Sequence, residues 1–362
     1  MPVMADDSPR FHNLLEPPAF AALFSEYPPA GFSCEADLSG LPLFFTDFDL
    51  LTTLDADVRE RLARFPVVST LARRLKFHTC FAGTTITEYA PVPAGLAPGD
   101  LLDGLLQRRG GRQMLTIIKD IPDASPLLPD RDNALASELA RAAAERGFFQ
   151  VEGQALAYLP LDFGGIGGYF AMLSPGRRKD LRRKMRKRDS IDVDVMPIGD
   201  PRCSDAAFLD ELYAMYLEVY EQSQIHFDLL SPAFFAALLT GSGGAVNGVV
   251  VCYRHRGVLV GCNISLIHNG LFIDKYIGLR YPLARDLNLY FVSWVVNLEL
   301  AMRYGCTAYV AGWTDPQVKA ALGAKFTFTR HLVWVKNPVL RRVLRPLRHL
   351  FESDSRVMGG KP

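Results

Sequence analysis

None of the six cysteines (Cys34, Cys80, Cys203, Cys252, Cys262, Cys306) stands in a CxxC pair. That spacing excludes a zinc ribbon or a dithiol redox centre. A chain of 362 residues needs no staples, so the cysteines are expected as reduced core or strand residues in a cytoplasmic protein. The seven histidines form no HxxxH or HxH pair, and no metal or tightly bound cofactor is expected. Long apolar runs are also missing. The best candidate, residues 287–302, is interrupted by Asn288, Asn297 and Glu299, short of the ~20 uninterrupted residues of a spanning helix. The opening stretch MPVMADDSPRFHNLLEPP lacks the basic and apolar regions of a signal peptide. GGIGG at 164–168 has no GK[ST] behind it, so it reads as a loop rather than a phosphate cradle.

Ordinary globular composition is what remains: 49% hydrophobic and 22% charged, which excludes disordered and fibrous classes. The length suggests two domains. A net charge of +1 hides an asymmetry. Residues 1–170 carry 14 Lys/Arg against 22 Asp/Glu, a balance of −8, and residues 171–362 carry 26 against 17, a balance of +9. The second half is therefore the one expected to meet an anion.

Pattern divides the chain into an N-terminal arm (1–40), a first α/β domain (41–172), a second domain (173–337) and a basic tail (338–362). The first domain reads as strands near 41–51, 78–91, 114–121 and 148–173, with helices at 55–64, near 100 and at 130–147. The second is clearer. A helix carries the basic run, and 192–198 alternates as a strand. Helices follow at 204–222, with apolar positions at 3.6-residue spacing, and after Ser231-Pro232. Three strands form a meander over 248–253, 258–267 and 271–278, closed by an Asn269-Gly270 hairpin turn. A long helix over 283–304, a strand at 307–312, a helix at 315–322 and a strand at 326–335 complete the chain. The order β-α-α-β-β-β-α-β-α-β is that of the GNAT acyltransferase fold.

Three segments carry a closer resemblance: LSPGRRKDLRRKMRKR at 173–188, MYLEVYEQSQIHFDLLSPAFF at 215–235, and IDKYIGLRYPLARDLNLYFVSWVVNLELAMRYGCTAYVAGWTDPQVKAALGAKF at 273–326. Together they resemble the second domain of tandem-GNAT, FemAB-like and BioF2-like acyltransferases, and the Asn-Leu-Tyr-Phe motif is similar to one in bacterial ceramide synthase-type lipid N-acyltransferases. The resemblance covers about residues 170–337. It implies an α/β chain of two GNAT-like domains with mixed central sheets. The implied activity transfers a long-chain acyl group from CoA or acyl carrier protein to the primary amine of a lipid-like acceptor such as a sphingoid base. A FemX-type aminoacyl-tRNA-dependent transferase is the alternative, and a non-catalytic membrane or nucleic-acid adaptor a third reading. One departure stands out: the loop before the long helix reads Gly278-Leu-Arg-Tyr-Pro-Leu-Ala-Arg-Asp, without the glycines that hold a CoA pyrophosphate in GNAT acetyltransferases.

Several side chains are candidates for chemistry. His226, in a loop between two helices, has the unperturbed pKa of a base near neutrality. Asp274 and Tyr276, two apart on a strand, are expected on one face with Lys275 on the other. The resemblance makes Asp274 a base and Tyr276 a proton donor. Arg280 and Arg285 would hold phosphates by their side chains. Asn288 and Tyr290 would bind polar atoms of donor or acceptor, and Lys319 would contact substrate. Nine of the twelve residues 177–188 are basic, Arg178, Arg182 and Arg183 among them. They read as an anion-capturing helix for CoA phosphates, anionic lipid or, under the alternative, tRNA, against the plainer reading of a solvated face. Residues 339–351 alternate apolar and basic faces like a membrane-surface helix, although a helix capping the core fits the same pattern. The enzyme is thus expected at the inner face of the cytoplasmic membrane.

Overall fold

A computed structural model describes residues 11–36, 39–49, 76–107, 113–223, 227–242 and 246–346. In chain order the elements begin with β1 (Phe11–His12), α1 (Pro18–Glu26), β2 (Ser33–Ala36), β3 (Pro42–Asp49), β4 (Lys76–Ala82), β5 (Val92–Pro93), α2 (Pro98–Gln107), β6 (Leu115–Asp123), α3 (Asp130–Glu145) and β7 (Phe149–Pro160). Next come α4 (Ile166–Met172), α5 (Pro175–Met185), β8 (Asp192–Pro197), α6 (Ala206–Gln222), α7 (Pro232–Thr240), β9 (Gly248–His255), β10 (Val258–His268) and β11 (Leu271–Leu279). The last are α8 (Leu283–Asp286), α9 (Leu289–Arg303), β12 (Ala308–Gly312), α10 (Pro316–Ala321), β13 (Lys325–Val335) and α11 (Pro338–Leu344). Contacts divide the chain into two units, one of Met1–Leu14, Phe24–Ala155 and Thr327–Pro362, the other of Leu15–Leu23 and Leu156–Phe326.

In the first unit β2, β3 and β4 pair antiparallel, β4 and β6 run parallel, and β13 pairs antiparallel with β6. Helix α3 buries Ala136, Leu139, Ala140 and Ala143 beside Leu102 and Leu105 of α2 and Trp334 of β13. Small residues let α3 lie close, and its last turn is tied to α2 by a forked Arg146–Asp103 pair at 2.8 and 2.9 Å.

The second unit holds the meander β9–β10–β11, with β8 on β9, β12 parallel to β11, and the end of β7 antiparallel to β12. Asn269 and Gly270 both take positive φ (48° and 74°), the conformation of the expected two-residue hairpin. Two glycines set how closely helices approach this sheet. A Cβ on Gly261 would lie 2.6 Å from Leu289 of α9, and one on Gly278 would lie 3.0 Å from the Cβ of Met215 on α6. Helices α9 and α6 therefore press onto opposite faces at points where no side chain fits. Helix α9 is buried around most of its circumference, with Leu289, Val292, Trp294, Val295 and Leu298 in the core. Each Å² of apolar area buried there contributes about 25 cal/mol. Among the described residues no helix is long and apolar enough to cross a membrane.

Several expectations are corrected. TTITEY does not extend the strand at 78–91: β4 stops at Ala82, and residues 84–89 turn, with the Thr84 and Thr87 hydroxyls bonded to each other at 2.8 Å and Thr87 donating to the Tyr89 carbonyl. Side-chain bonds to nearby backbone compete with a ladder here. GGIGG enters a helix, α4, because Tyr169 is wholly buried and donates to the Leu322 carbonyl at 2.9 Å, so tertiary contact overrides the glycines' poor helix propensity. The helix expected over 283–304 is broken at Asn288, whose φ is 52°, into α8 and α9. The units also differ from the expected domains: Leu15–Leu23 joins the second unit and β13 from Thr327 onward joins the first. The helix at 55–64 lies outside the described residues.

Candidate active site

Parallel pairing of β11 with β12 runs Leu271–Ala308, Phe272–Tyr309 and Ile273–Val310, and ends there. Asp274 is the next residue of β11. Its carboxylate accepts from Asn263 Nδ2 at 3.0 and 3.2 Å, from the Ser265 hydroxyl at 3.3 Å, from Asn297 Nδ2 at 2.9 Å and from the Tyr309 hydroxyl at 3.0 Å. Three elements supply these donors: β10, α9 and β12. All four residues are buried. Such a network satisfies a carboxylate that would otherwise be costly to enclose. Burial pushes the Asp274 carboxyl above its ordinary value, while Asn263, Tyr309, the Lys319 charge and Ser265 pull the other way.

Lys319 is a buried lysine, 4% exposed, on the short helix α10. A Cβ on Gly312, whose φ is 76°, would stand 3.9 Å from the Asp274 carbonyl oxygen and 4.0 Å from Lys319 Nζ. The ammonium thus reaches the point where β11 and β12 cease to pair. Tyr290 opens α9 with its hydroxyl buried. Burial, then the charges of Asp315 and Asp274, raise its pKa and keep it protonated. Asp274, Lys319 and Tyr290 are brought together.

Tyr276 is not. The pairing of β11 with β10 runs Ile264–Tyr276 and then Ser265–Asp274, leaving Lys275 as the extra residue of a bulge. Two-residue alternation fails at a bulge. Asp274 faces α9, whereas Tyr276 packs edge-on to Tyr216 of α6 and against Phe234 and Phe235 of α7. The expectation that Asp274 and Tyr276 share a face is corrected: they lie on opposite faces, and Lys275 joins Tyr276's side, with Nζ 2.8 Å from Glu16 Oε1. His226 lies outside the described residues.

Arg280 and Arg285 do not project as phosphate ligands. Arg280 donates to Glu211 at 2.8 Å. Arg285 is bonded to Gln222 and lies over the Tyr281 ring at 4.7 Å. The Tyr281 N–H donates to Glu218 Oε2 at 2.7 Å. Helix α6, fixed against β11 at Gly278, thus supplies two carboxylates and an amide to this loop. Asn288 takes the left-handed conformation before α9 and makes no side-chain cap.

On α5, Arg178 caps α4 through the Ala171 and Leu173 carbonyls. Arg182 lies over Phe170, and Arg183 bonds to Asp180 at 2.7 Å. Lys184 sits 3.5 Å from the Phe291 ring centroid and also pairs with Asp180. Six cations, Arg177, Lys179, Arg182, Arg183, Arg186 and Lys187, remain exposed. In the tail, Leu340 and Leu344 of α11 pack on the first unit's core and Arg341 stacks on Trp334 at 4.9 Å, while Val339 and Val343 are exposed. The apolar residues expected on one face are thus split. Residues 347–351 lie outside the described residues.

Sequence reasoning missed Asn263, Ser265, Asn297 and Tyr309. The signal was present: Asn-x-Ser within an apolar strand and one Asn within an apolar helix are polar groups that need a shared partner.

A central sheet whose parallel strands part, with one long helix across its face, is the arrangement of the GNAT fold. Residues 175–319 match the family model described as an acetyltransferase (GNAT) domain, and the protein is an acyltransferase carrying that domain. No curated protein matches the sequence. Among solved structures, the C-terminal domain of a putative lysylphosphatidylglycerol synthetase from Agrobacterium fabrum is similar, with 12% identity, TM-score 0.55 and 90% of each chain covered. So is L-PGS from Bacillus licheniformis, with 10% identity, TM-score 0.53 and 94% of this chain and 98% of that one covered. FemX shares 10% identity at TM-score 0.55 over 95% of this chain and 99% of that one. At these identities the likeness is one of fold.

Proposed function

We propose that the protein is an N-acyltransferase that moves a long-chain acyl group from a thioester of CoA or acyl carrier protein to the primary amine of a lipid-like acceptor, at the opening between β11 and β12. The observation that supports it is the nearness of a hydrogen-bonded carboxylate, Asp274, and a buried ammonium, Lys319, where the parallel strands part. The amine nitrogen attacks the thioester carbonyl carbon. The C–N bond forms, the carbonyl pair moves onto oxygen, and the oxyanion collapses to break C–S and release thiolate. Asp274 takes the amine proton and returns it to solvent. Lys319 stabilises the oxyanion, and Tyr290, held protonated, donates a hydrogen bond to the departing sulfur. No covalent enzyme intermediate is required.

A second reading is favoured by one observation. The loop after β11 has its Tyr281 amide taken by Glu218 and its arginines engaged by α6, which disfavours a pyrophosphate there and leaves the exposed cations of α5 to meet an anionic donor. With FemX and the lysylphosphatidylglycerol synthetases as fold neighbours, that donor is an aminoacyl-tRNA and the acceptor a cell-wall or lipid headgroup. In either case an inner-membrane surface would present the acceptor, and α5 would meet its charge.

Purified protein with phospholipid vesicles, sphinganine and palmitoyl-CoA is expected to release free thiol and form the amide, read by mass spectrometry. Absence of thiol release, together with salt-sensitive binding of charged tRNA, would replace the thioester donor by the aminoacyl ester.

A further inference from the structure

The bulge in β11 decides which face carries the acid. Alternation alone would send Asp274 and Tyr276 the same way, and a slip of one residue exchanges every side chain between faces. Something must therefore hold Lys275 as the extra residue. That something is a segment remote in sequence. Leu15–Leu23 groups with the second unit rather than with the N-terminal residues on either side of it. Phe20 is wholly buried and meets Phe234 of α7 edge-on at 6.1 Å. Lys275 Nζ sits 2.8 Å from Glu16 Oε1, with the two side chains 6% and 0% exposed, and 5.6 Å from the Phe20 ring centroid.

A buried ion pair is a weak device for stability, because two charges leave water, but a strong one for fixing register, because separating the partners forfeits their attraction while the cost of burying each charge remains. Here the pair is made at the extra residue of the bulge, next to Asp274. Tyr276 follows, clamped between α6 and α7 on the same side as Lys275. Both residues after Asp274 are thus held on the face away from α9, and Asp274 is left to meet Asn263, Asn297 and Tyr309.

We propose that Glu16, acting through Lys275, is a positioning residue for Asp274: the N-terminal strap pins the bulge that turns the acid toward α9. The proposal rests on Asp274 serving the reaction described above. The test compares the full-length protein with its Glu16→Leu/Lys275→Met double variant, which replaces the pair by apolar groups, and with Glu16→Gln, in the sphinganine–palmitoyl-CoA assay and in thermal melts. The double variant is expected to melt cooperatively near the parent temperature while kcat falls about tenfold or more with KM within about threefold, the pattern of an interaction realised in the transition state. Glu16→Gln should fall in the same direction and Glu16→Asp should recover part of the loss. An unchanged kcat in the folded double variant overturns the proposal. So does loss of cooperative melting in both the double variant and Glu16→Gln, which would assign the pair to the core alone. Asp274→Asn, assayed in parallel, separates the two ideas: if it stays active, the site reading falls, and if it is inactive while the strap variants are not, only the strap falls.

Discussion

Among the described residues, each unit contains one pair of parallel strands that run together briefly and then part, and the two partings are filled differently. In the first unit, β4 and β6 pair over Thr79–Leu115 to Ala82–Ile118. Beyond that point the chain turns back on itself: the Ala90 N–H donates to the Asp120 carbonyl of β6 at 3.0 Å, and the buried Tyr89 hydroxyl donates to Ser125 at 2.8 Å. The Asp120 N–H in turn donates to His331 Nδ1 at 3.0 Å. In the second unit β11 and β12 part after Ile273–Val310, and what gathers there is Asp274, Lys319 and their donors. Both partings enclose an acid, but differently: Asp120 pairs with its neighbour Lys119 and lies 3.7 Å from His331, whereas Asp274 is held by the neutral donors Asn263, Asn297 and Tyr309. The reaction proposed above is assigned to the second parting, where the acid meets neutral donors beside the buried Lys319.

The sharpest way to break that comparison is to neutralise the acid in each unit. Asp274→Asn is expected to lower kcat by about 10²–10⁴, the range for a positioned acid or base, whereas Asp120→Asn should leave kcat within about twofold and lower only the melting temperature. Equal losses would abolish the distinction. Next in size, Lys319→Met should cost about 10²–10³ in kcat with little change in KM, as for a lost oxyanion donor.

A pH experiment sharpens the same point. Because burial raises the Asp274 carboxyl in the folded protein, its ionised form opposes folding. Its contribution to stability is complete below the unfolded value near 3.8 and is lost as pH rises through the higher folded value. The stability difference between the parent and Asp274→Asn should therefore decline across that window in denaturant titrations. Over the same window kcat/KM should rise with pH in the parent, as the base ionises, and the limb should vanish in the variant.

Smaller effects test the scaffold. Tyr169 donates to the Leu322 carbonyl and accepts from Trp294 Nε1 at 2.9 Å. Tyr169→Phe leaves both partners unpaired and should cost about 1–3 kcal/mol by urea titration. Arg280→Gln removes a half-exposed pair with Glu211, worth at most about 1 kcal/mol, and should move KM for palmitoyl-CoA by less than about twofold. A large KM effect would return Arg280 to the phosphate-holding role.

Much of the second half was legible because its signals are local. The period of α6, the Ser231-Pro232 cap, and the Asn269-Gly270 turn each act within a few residues. The first half was harder to read: hydroxyls at Thr84 and Thr87 diverted a strand-like pattern into turns, and Gly-rich α4 formed only because Tyr169 found buried partners. At the site, Asp274 was legible as a charge on a central strand, whereas Tyr290 and Lys319 entered only through the resemblance of their motifs. Arg280 and Arg285 looked available because sequence does not show that Glu211 and Gln222 lie across from them.

The amino-acid order by itself determined the element sequence of a GNAT domain and the basic character of its second half, since hydrophobic period, turn chemistry and charge are properties of neighbours along the chain. Tertiary structure alone decided where the acid points. A bulge is a register difference of one residue, and its choice depends on what packs against both faces: Asn263, Asn297 and Tyr309 on one side, and Tyr216, Phe234 and the distant Glu16 on the other.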